Sequence, residues 1–443
     1  MTGRRAVHSC LALLLVLAVS GVGGTAQAGP PPFAGKPPQY FIDESKLPFD
    51  ALPGLPSDRY WGVHAGAGYR IEVPHNWNGD LVMWAHGFRG DSLELTVDNH
   101  PLRPFLLANG YAWAASSYSK NDYDVAVGVK DTHKLTKLFN AIVGTPDRVY
   151  LTGASMGGHV TAVAIEQYPN TYDGAMPICG VLGDHELFDF FLDYNLVAAA
   201  LAGVDITFPP DPEHWTGVAI PQITTTLATA WPSGLTPDGE NLKAMTELRS
   251  GGERPLFDAA FLQWATFLLG FGSLDGTVPR SPGVVVDNTD TVYQFDTDPA
   301  LSPAEQALNE SVLRVAQDPS GRVRQGLANV PVIEGTPPVP VLSLHDIGDL
   351  FVPFSMEQVY AERVAAHGLS DRLVQRAIRG VGHCDFTAEE LVTAFVDLVA
   401  WVEHGIKPAG DEVLDPAVVA DPFYGCTFTT ATRDLGPFTA PCP

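Results

Sequence analysis

Short apolar runs, most of them ending at glycine or a small residue, alternate along this chain with stretches of helical spacing. Residues 81–86 (LVMWAH) are almost wholly apolar and stop at Gly87, the pattern of a strand buried on both faces. Residues 111–118 (YAWAASSY) form a second such run, and residues 124–143 then carry helical spacing. A third strand, 148–155 (RVYLTGAS), ends at a serine flanked by glycines, and a helix is predicted directly after it. Residues 174–180 (GAMPICG) read as the next strand. The same rhythm returns near the C-terminus, with strands at 339–345 and 372–379 and helices at 355–367 and 387–403. Strands and helices in alternation predict an α/β fold, a mostly parallel sheet with helices on both faces.

Between residues 184 and 338 the rhythm breaks. This stretch is rich in Pro, Thr, Trp and Phe, with helices expected at 188–202, 240–250, 258–269 and 303–316. It leaves from, and returns to, the carboxyl ends of predicted strands, where open α/β sheets bind ligands. A cap over that face is therefore expected, with Trp215, Trp231 and Trp264 as its candidate specificity residues. A separate domain is the alternative. Residues 29–58, rich in Pro and Gly, are expected to wrap the surface. The organisation expected is a leader (1–28), a split α/β core (29–184 and 338–407), a cap (185–337) and a C-terminal tail (408–443).

Composition narrows the partners. The 443 residues are 45% hydrophobic and 17% charged, enough apolar material for a packed core. The formal net charge of −25 repels nucleic acid and anionic membranes, so neither is an expected partner. Arg4 and Arg5, the apolar run 11–20 and Ala26-Gln27-Ala28 together have the form of an export signal. The run is short for a membrane span. A secreted chain with no stable membrane anchor after signal cleavage is expected, a membrane anchor being the alternative. Cys10 would leave with the leader, and Cys179, Cys384, Cys426 and Cys442 would remain. An even count in an oxidising compartment suggests two disulfides. No zinc-like Cys/His spacing and no nucleotide-binding glycine motif is present, so no metal or organic cofactor is expected, and Asp287-to-Thr291 (DNTDT) reads as a solvated turn.

The chemistry concentrates in four short segments. Gly153-Ala154-Ser155-Met156-Gly157 places a serine at a sharp strand-to-helix turn, where its hydroxyl stands free above a sheet. A serine hydroxyl needs a base. His383, in a loop after the last predicted strand, can reach it, whereas His159 lies one helical turn beyond the serine and points along the helix. The base needs a carboxylate, and the loop after strand 339–345 offers Asp349 and Asp346, of which Asp349, set before Leu-Phe-Val-Pro, is preferred. The order serine, acid, histidine is that of a doubly wound hydrolase. Oxyanion donors are expected from the backbone N–H of Met156 and from the turn at residues 86–90, with Phe88 preferred over Arg89 and His86 as an organiser of the loop.

With GASMGG, HGF, DLFVP and GHCDF in this order, the chain resembles the α/β-hydrolase superfamily over residues 60–184 and 338–405. It looks like the secreted bacterial esterases and prolyl-oligopeptidase-like hydrolases of that superfamily. His383-Cys384 is similar to the His-Cys pair of feruloyl esterases and tannases, whose cysteine bonds to one beside the serine. Here residue 154 is Ala, so that tether is missing in its usual form. The resemblance implies a serine hydrolase cleaving a small-molecule or polymer-borne carboxylic ester through an acyl-enzyme. A peptidase, an acyltransferase and a non-catalytic binding protein are the alternatives. Counting alone allows three cysteine connectivities. Cys179 ends the strand that follows the nucleophile helix, and Cys384 follows the histidine that must reach the same sheet edge. The expected pairs are therefore Cys179–Cys384 and Cys426–Cys442.

Overall fold

A computed structural model describes residues 39–279, 281, 283–322, 326–430 and 442. The leader segment lies outside the described residues. Eight strands form one sheet: β1 (Ser57–His64), β2 (Ala67–Pro74), β3 (Asp80–Ala85), β4 (Ala112–Ser116), β5 (Arg148–Ala154), β6 (Gly174–Ile178), β7 (Val341–Asp346) and β8 (Leu373–Ile378). Their spatial order is β1-β2-β4-β3-β5-β6-β7-β8. Only β2 runs against the rest, pairing antiparallel with β1 and β4, while every pair from β4 to β8 is parallel. This is the α/β-hydrolase fold, a mostly parallel sheet.

Strand periodicity divides the core. Leu81, Met83 and Ala85 of β3 face one side of the sheet, and Val82 faces the other. On the first side pack α1 (Val125–Ile142) and α2 (Met156–Gln167). On the second, Phe395, Leu398 and Trp401 of the helix Ala388–His404 meet Tyr150, Met176 and Leu342. Each fully buried large apolar side chain contributes roughly 1.5–3 kcal/mol. Glu72, buried on β2, is held by Arg103 and accepts hydrogen bonds from Trp113 Nε1 at 2.8 Å and Ser57 Oγ at 2.7 Å.

The strands β1 and β2 were not legible as an apolar run. β1 is an edge strand with no fully buried residue, so its pattern carries little hydrophobic signal. Its turn to β2 uses Ala65 and Gly66, both at positive φ, as two-residue hairpins favour.

The segment between β6 and β7 carries α3 (Glu186–Leu201), α4 (Pro237–Arg249), α5 (Phe257–Leu268) and α6 (Pro303–Ser311), with a helix at Ile220–Leu227 and a small hairpin, Ala228–Ala230 with Ser233–Leu235. The helix expected to reach residue 316 stops at Ser311. Val312 turns to extended backbone, and Val312 and Val315 are buried in the core. Among the described residues the segment shares the sheet's core: Phe190, Leu227, Phe261 and Leu308 join the cluster that covers the α1–α2 side of the sheet. Beyond β8 the tail lies along the edge strand, with Asp411 N–H donating to Gln375 O at 2.8 Å and Ala377 N–H donating to Asp411 at 2.8 Å.

Candidate active site

β5 runs into α2 through Ser155, whose φ of 59° and ψ of −123° lie in sparsely populated backbone space. A non-glycine residue holds such a conformation only where its surroundings over-determine it. Here they do. Ser155 N–H donates to Ile178 O at 2.9 Å, and its carbonyl accepts from Gly158 N–H at 2.8 Å. Gly157 lies so close to β3 that a Cβ there would collide with the Ala85 carbonyl. The serine is thus lifted clear of the sheet, and Gly87 approaches it from the neighbouring strand end.

His383 and Asp349 arrive from loops at the ends of β8 and β7. His383 Nε2 lies 2.9 Å from Ser155 Oγ, and Nδ1 lies 2.6 Å from Asp349 Oδ2. Asp349 is fully buried, and its Oδ1 accepts from Phe351 N–H at 2.9 Å and Val352 N–H at 3.1 Å. These bonds fix the carboxylate, which fixes Nδ1 as the protonated nitrogen and leaves Nε2 as acceptor for the serine hydroxyl. Asp346 faces elsewhere: its Oδ2 accepts from Asp385 N–H at 2.8 Å, holding the histidine loop.

His159 and His86, the two other histidines near the site, are structural. His159 Nε2 contacts Pro331 O at 2.6 Å and Nδ1 meets Tyr123 Oη at 3.0 Å, and burial pushes its pKa down to about 4. His86 stacks on Tyr118 with 3.9 Å between ring centroids and contacts Gly87 O at 2.7 Å. Burial, helped by the Arg89 charge, pushes His86 down to about 3, so it stays neutral and orders the turn.

Of the expected oxyanion donors, Met156 is the first residue of α2, where helix geometry leaves the N–H without an intrahelical acceptor. Phe88 N–H makes no hydrogen bond among the described residues, and the Phe88 side chain is 44% exposed beside the turn.

A disulfide joins Cys179 to Cys384 across 205 residues, and a second joins Cys426 to Cys442. The first ties the end of β6 to the residue after His383. Cys179, His383 and Cys384 place sulfur and nitrogen atoms within 4.8 Å of one another, yet the sulfurs are bonded to each other and present no thiolate to a metal.

Sequence reasoning missed the aromatic side of the site. The Phe351 ring stands edge-on to His383 with centroids 5.0 Å apart. Phe271 stacks between Phe351 (5.9 Å) and Phe191 (4.0 Å), while Phe267 crosses Phe351 at 5.1 Å and is 43% exposed. Of the three tryptophans of the insertion, Trp264 belongs here, since its Nε1 donates to Val381 O at 2.7 Å, two residues before His383. Trp215 does not: it is buried and donates to Leu269 O, so it packs the insertion's interior. Trp231 donates to Thr266 Oγ1 at 3.1 Å and meets the Phe261 ring edge-on. Phe351 was visible in the DLFVP motif, but no sequence spacing says which rings will meet.

No protein-family model matches the chain. It is 23% identical over 407 residues to an o-phthalyl amidase of Xanthobacter agilis, an alignment covering 78% of this chain and 87% of the relative. Among solved structures it is similar to feruloyl esterase B from Aspergillus oryzae, at 16% identity and a TM-score of 0.45, over 81% of this chain and 82% of that one. A second esterase from Aspergillus oryzae aligns at 14% identity and a TM-score of 0.43, over 80% of each chain.

Proposed function

We propose that this protein is a serine hydrolase that cleaves a carboxylic ester through an acyl-enzyme, with Ser155 as nucleophile, His383 as base and Asp349 as its orienting acid. The observation that carries this reading is the continuous line Ser155 Oγ–His383 Nε2 (2.9 Å) and His383 Nδ1–Asp349 Oδ2 (2.6 Å), on a serine held in strained backbone. His383 takes the hydroxyl proton as Ser155 Oγ attacks the acyl carbon. The carbonyl oxygen becomes an anion facing the N–H groups of Met156 and Phe88. Collapse expels the alkoxide, which leaves with the proton from His383. Water then attacks the acyl-serine by the same path and releases the acid. These side chains suffice for acyl transfer, so the reading calls for no metal or organic cofactor. The Phe351 ring beside the histidine, with Phe267 and Trp264 packed against it, offers an apolar wall to a small-molecule or polymer-borne ester.

Cleavage of an amide by the same machinery is the second reading, favoured by the name of the amidase relative. We also propose export: the charged start, apolar run and Ala-Gln-Ala pattern of residues 1–28 support it, as do the two disulfides. No helix among the described residues is long and apolar enough to cross a membrane.

The test pairs a fluorophosphonate probe with a panel of p-nitrophenyl esters, aryl esters and matched anilides. Wild-type protein is expected to label at Ser155 and to turn over esters faster than anilides. Ser155→Ala is expected to lose labelling and several orders of magnitude in kcat while still folded. Near-normal turnover by that variant removes the mechanism, and anilides cleaved faster than esters select the amide reading.

A further inference from the structure

The insertion sends a charge under the triad. Arg254, in the loop between α4 and α5, is 4% exposed, yet among the described residues it forms no ion pair. Its fork is spent on neutral acceptors: Nη1 donates to Gly252 O at 2.8 Å, Nη2 to Ser250 Oγ at 2.9 Å, and Nε to Ile347 O at 2.7 Å. Ile347 belongs to the turn that carries Asp349. The loop is itself moored to the core. Ser355 N–H donates to Ser250 O at 3.0 Å, and Gln358 Nε2 bridges Gly251 O (3.1 Å) and Val413 O (3.0 Å). The guanidinium therefore sits at a fixed place beneath the acid turn.

A buried cation without a carboxylate against it is costly, and the charges that act on it from a distance are few. They are the carboxylates of Glu247 on α4 and Asp349 on the acid turn, with the Tyr424 hydroxyl in the tail. Burial brings the guanidinium down to about 10, which leaves it protonated at neutral pH. His345, on β7, is a further titratable group that feels Asp349, and it is paired with Glu357. Asp349 already spends both oxygens on His383 and two backbone N–H groups. Arg254 thus acts on it through the Ile347 carbonyl rather than by contact.

We propose that Arg254 is a positioning residue of the triad, its fork holding the Ile347–Asp349 turn in register so that Asp349 Oδ2 stays on His383 Nδ1. The proposal rests on the triad reading above. It also gives the insertion a second task, since the loop that leaves α4 completes the support of the acid.

The test compares Arg254→Gln and Arg254→Lys with wild type in kcat and KM, alongside melting temperature and Ser155→Ala. Arg254→Gln is expected to lower kcat about tenfold to a hundredfold, the scale of a misplaced catalytic group, with KM nearly unchanged. Arg254→Lys keeps a donor but not the fork; it is expected to lower kcat several-fold, less than Gln does, with KM nearly unchanged. A folded Arg254→Gln with wild-type kcat overturns the proposal, as does one that raises KM and leaves kcat unchanged, or an Arg254→Lys more damaged in kcat than Gln. If the Gln variant does not fold, Arg254→Lys decides alone, and wild-type kcat in it is the overturning result. Full activity in Ser155→Ala is a separate outcome that removes the triad itself and the proposal with it.

Discussion

Replacing Asp349 by asparagine changes one atom in a buried site, and the surroundings dictate how the new side chain must sit. Oδ1 accepts from the Phe351 and Val352 N–H groups at 2.9 and 3.1 Å, so the amide oxygen of the introduced asparagine is held there. Its NH2 group then occupies the Oδ2 position, 2.6 Å from His383 Nδ1. An NH2 facing an N–H is repulsive. The ring escapes by moving its proton to Nε2, which is the nitrogen 2.9 Å from Ser155 Oγ. In that tautomer His383 cannot accept the serine proton, and no carboxylate stabilises its cation. A wrong tautomer of this kind costs roughly 10,000-fold in kcat, or about 5.5 kcal/mol of transition-state stabilisation. Asp346→Asn is the control. Asp346 is equally buried but contributes Oδ2 to Asp385 N–H rather than to the imidazole, so its variant is expected to lose about 1–3 kcal/mol of stability and less than about tenfold in kcat. The assay is p-nitrophenyl ester hydrolysis at saturating substrate, with thermal unfolding of both variants. If Asp349→Asn keeps more than about a tenth of wild-type kcat, or if Asp346→Asn is the more damaged in turnover while folded, the acid has been misidentified.

Two further expectations follow from particular contacts. The Cys179–Cys384 bond closes a separation of 205 residues, so the Cys179→Ser/Cys384→Ser pair is expected to lose on the order of 5 kcal/mol in the chain-entropy model, read as a lower urea midpoint, and to lose turnover as the His383 loop loosens. An unchanged midpoint and unchanged kcat in the double variant removes that role. Phe351→Ala and Trp264→Phe alter the ring beside His383 and the bond to Val381 O, and are expected to change the ranking of aryl over alkyl esters, whereas Trp215→Phe, deep in the insertion, is expected to lower stability and leave the ranking alone; identical ester profiles in Phe351→Ala and Trp264→Phe rule out the aromatic wall as a determinant of substrate choice.

The parallel part of the fold was legible because its strands are buried on both faces and so read as largely apolar runs, LVMWAH and RVYLTGAS among them. Ser155, Asp349 and His383 were legible for a related reason. Each follows the end of a strand in the parallel part of the sheet, and parallel strands gather those ends along one edge. The pairing of Cys179 with Cys384 followed from the same geometry, because a histidine that reaches Ser155 brings its neighbour to the end of β6. What local sequence could not carry were matters of long-range packing. β1, exposed along the sheet edge, has no hydrophobic period to announce it. Trp215 and Trp264 are chemically alike in the sequence, and only the fold buries one beneath Leu269 and sets the other against the histidine loop. The aromatic face of Phe191, Phe267, Phe271 and Phe351 is assembled from three separate segments. Arg254, 93 residues before the Ile347 carbonyl it holds, meets the acid turn only because the insertion folds back onto the sheet and shares its core.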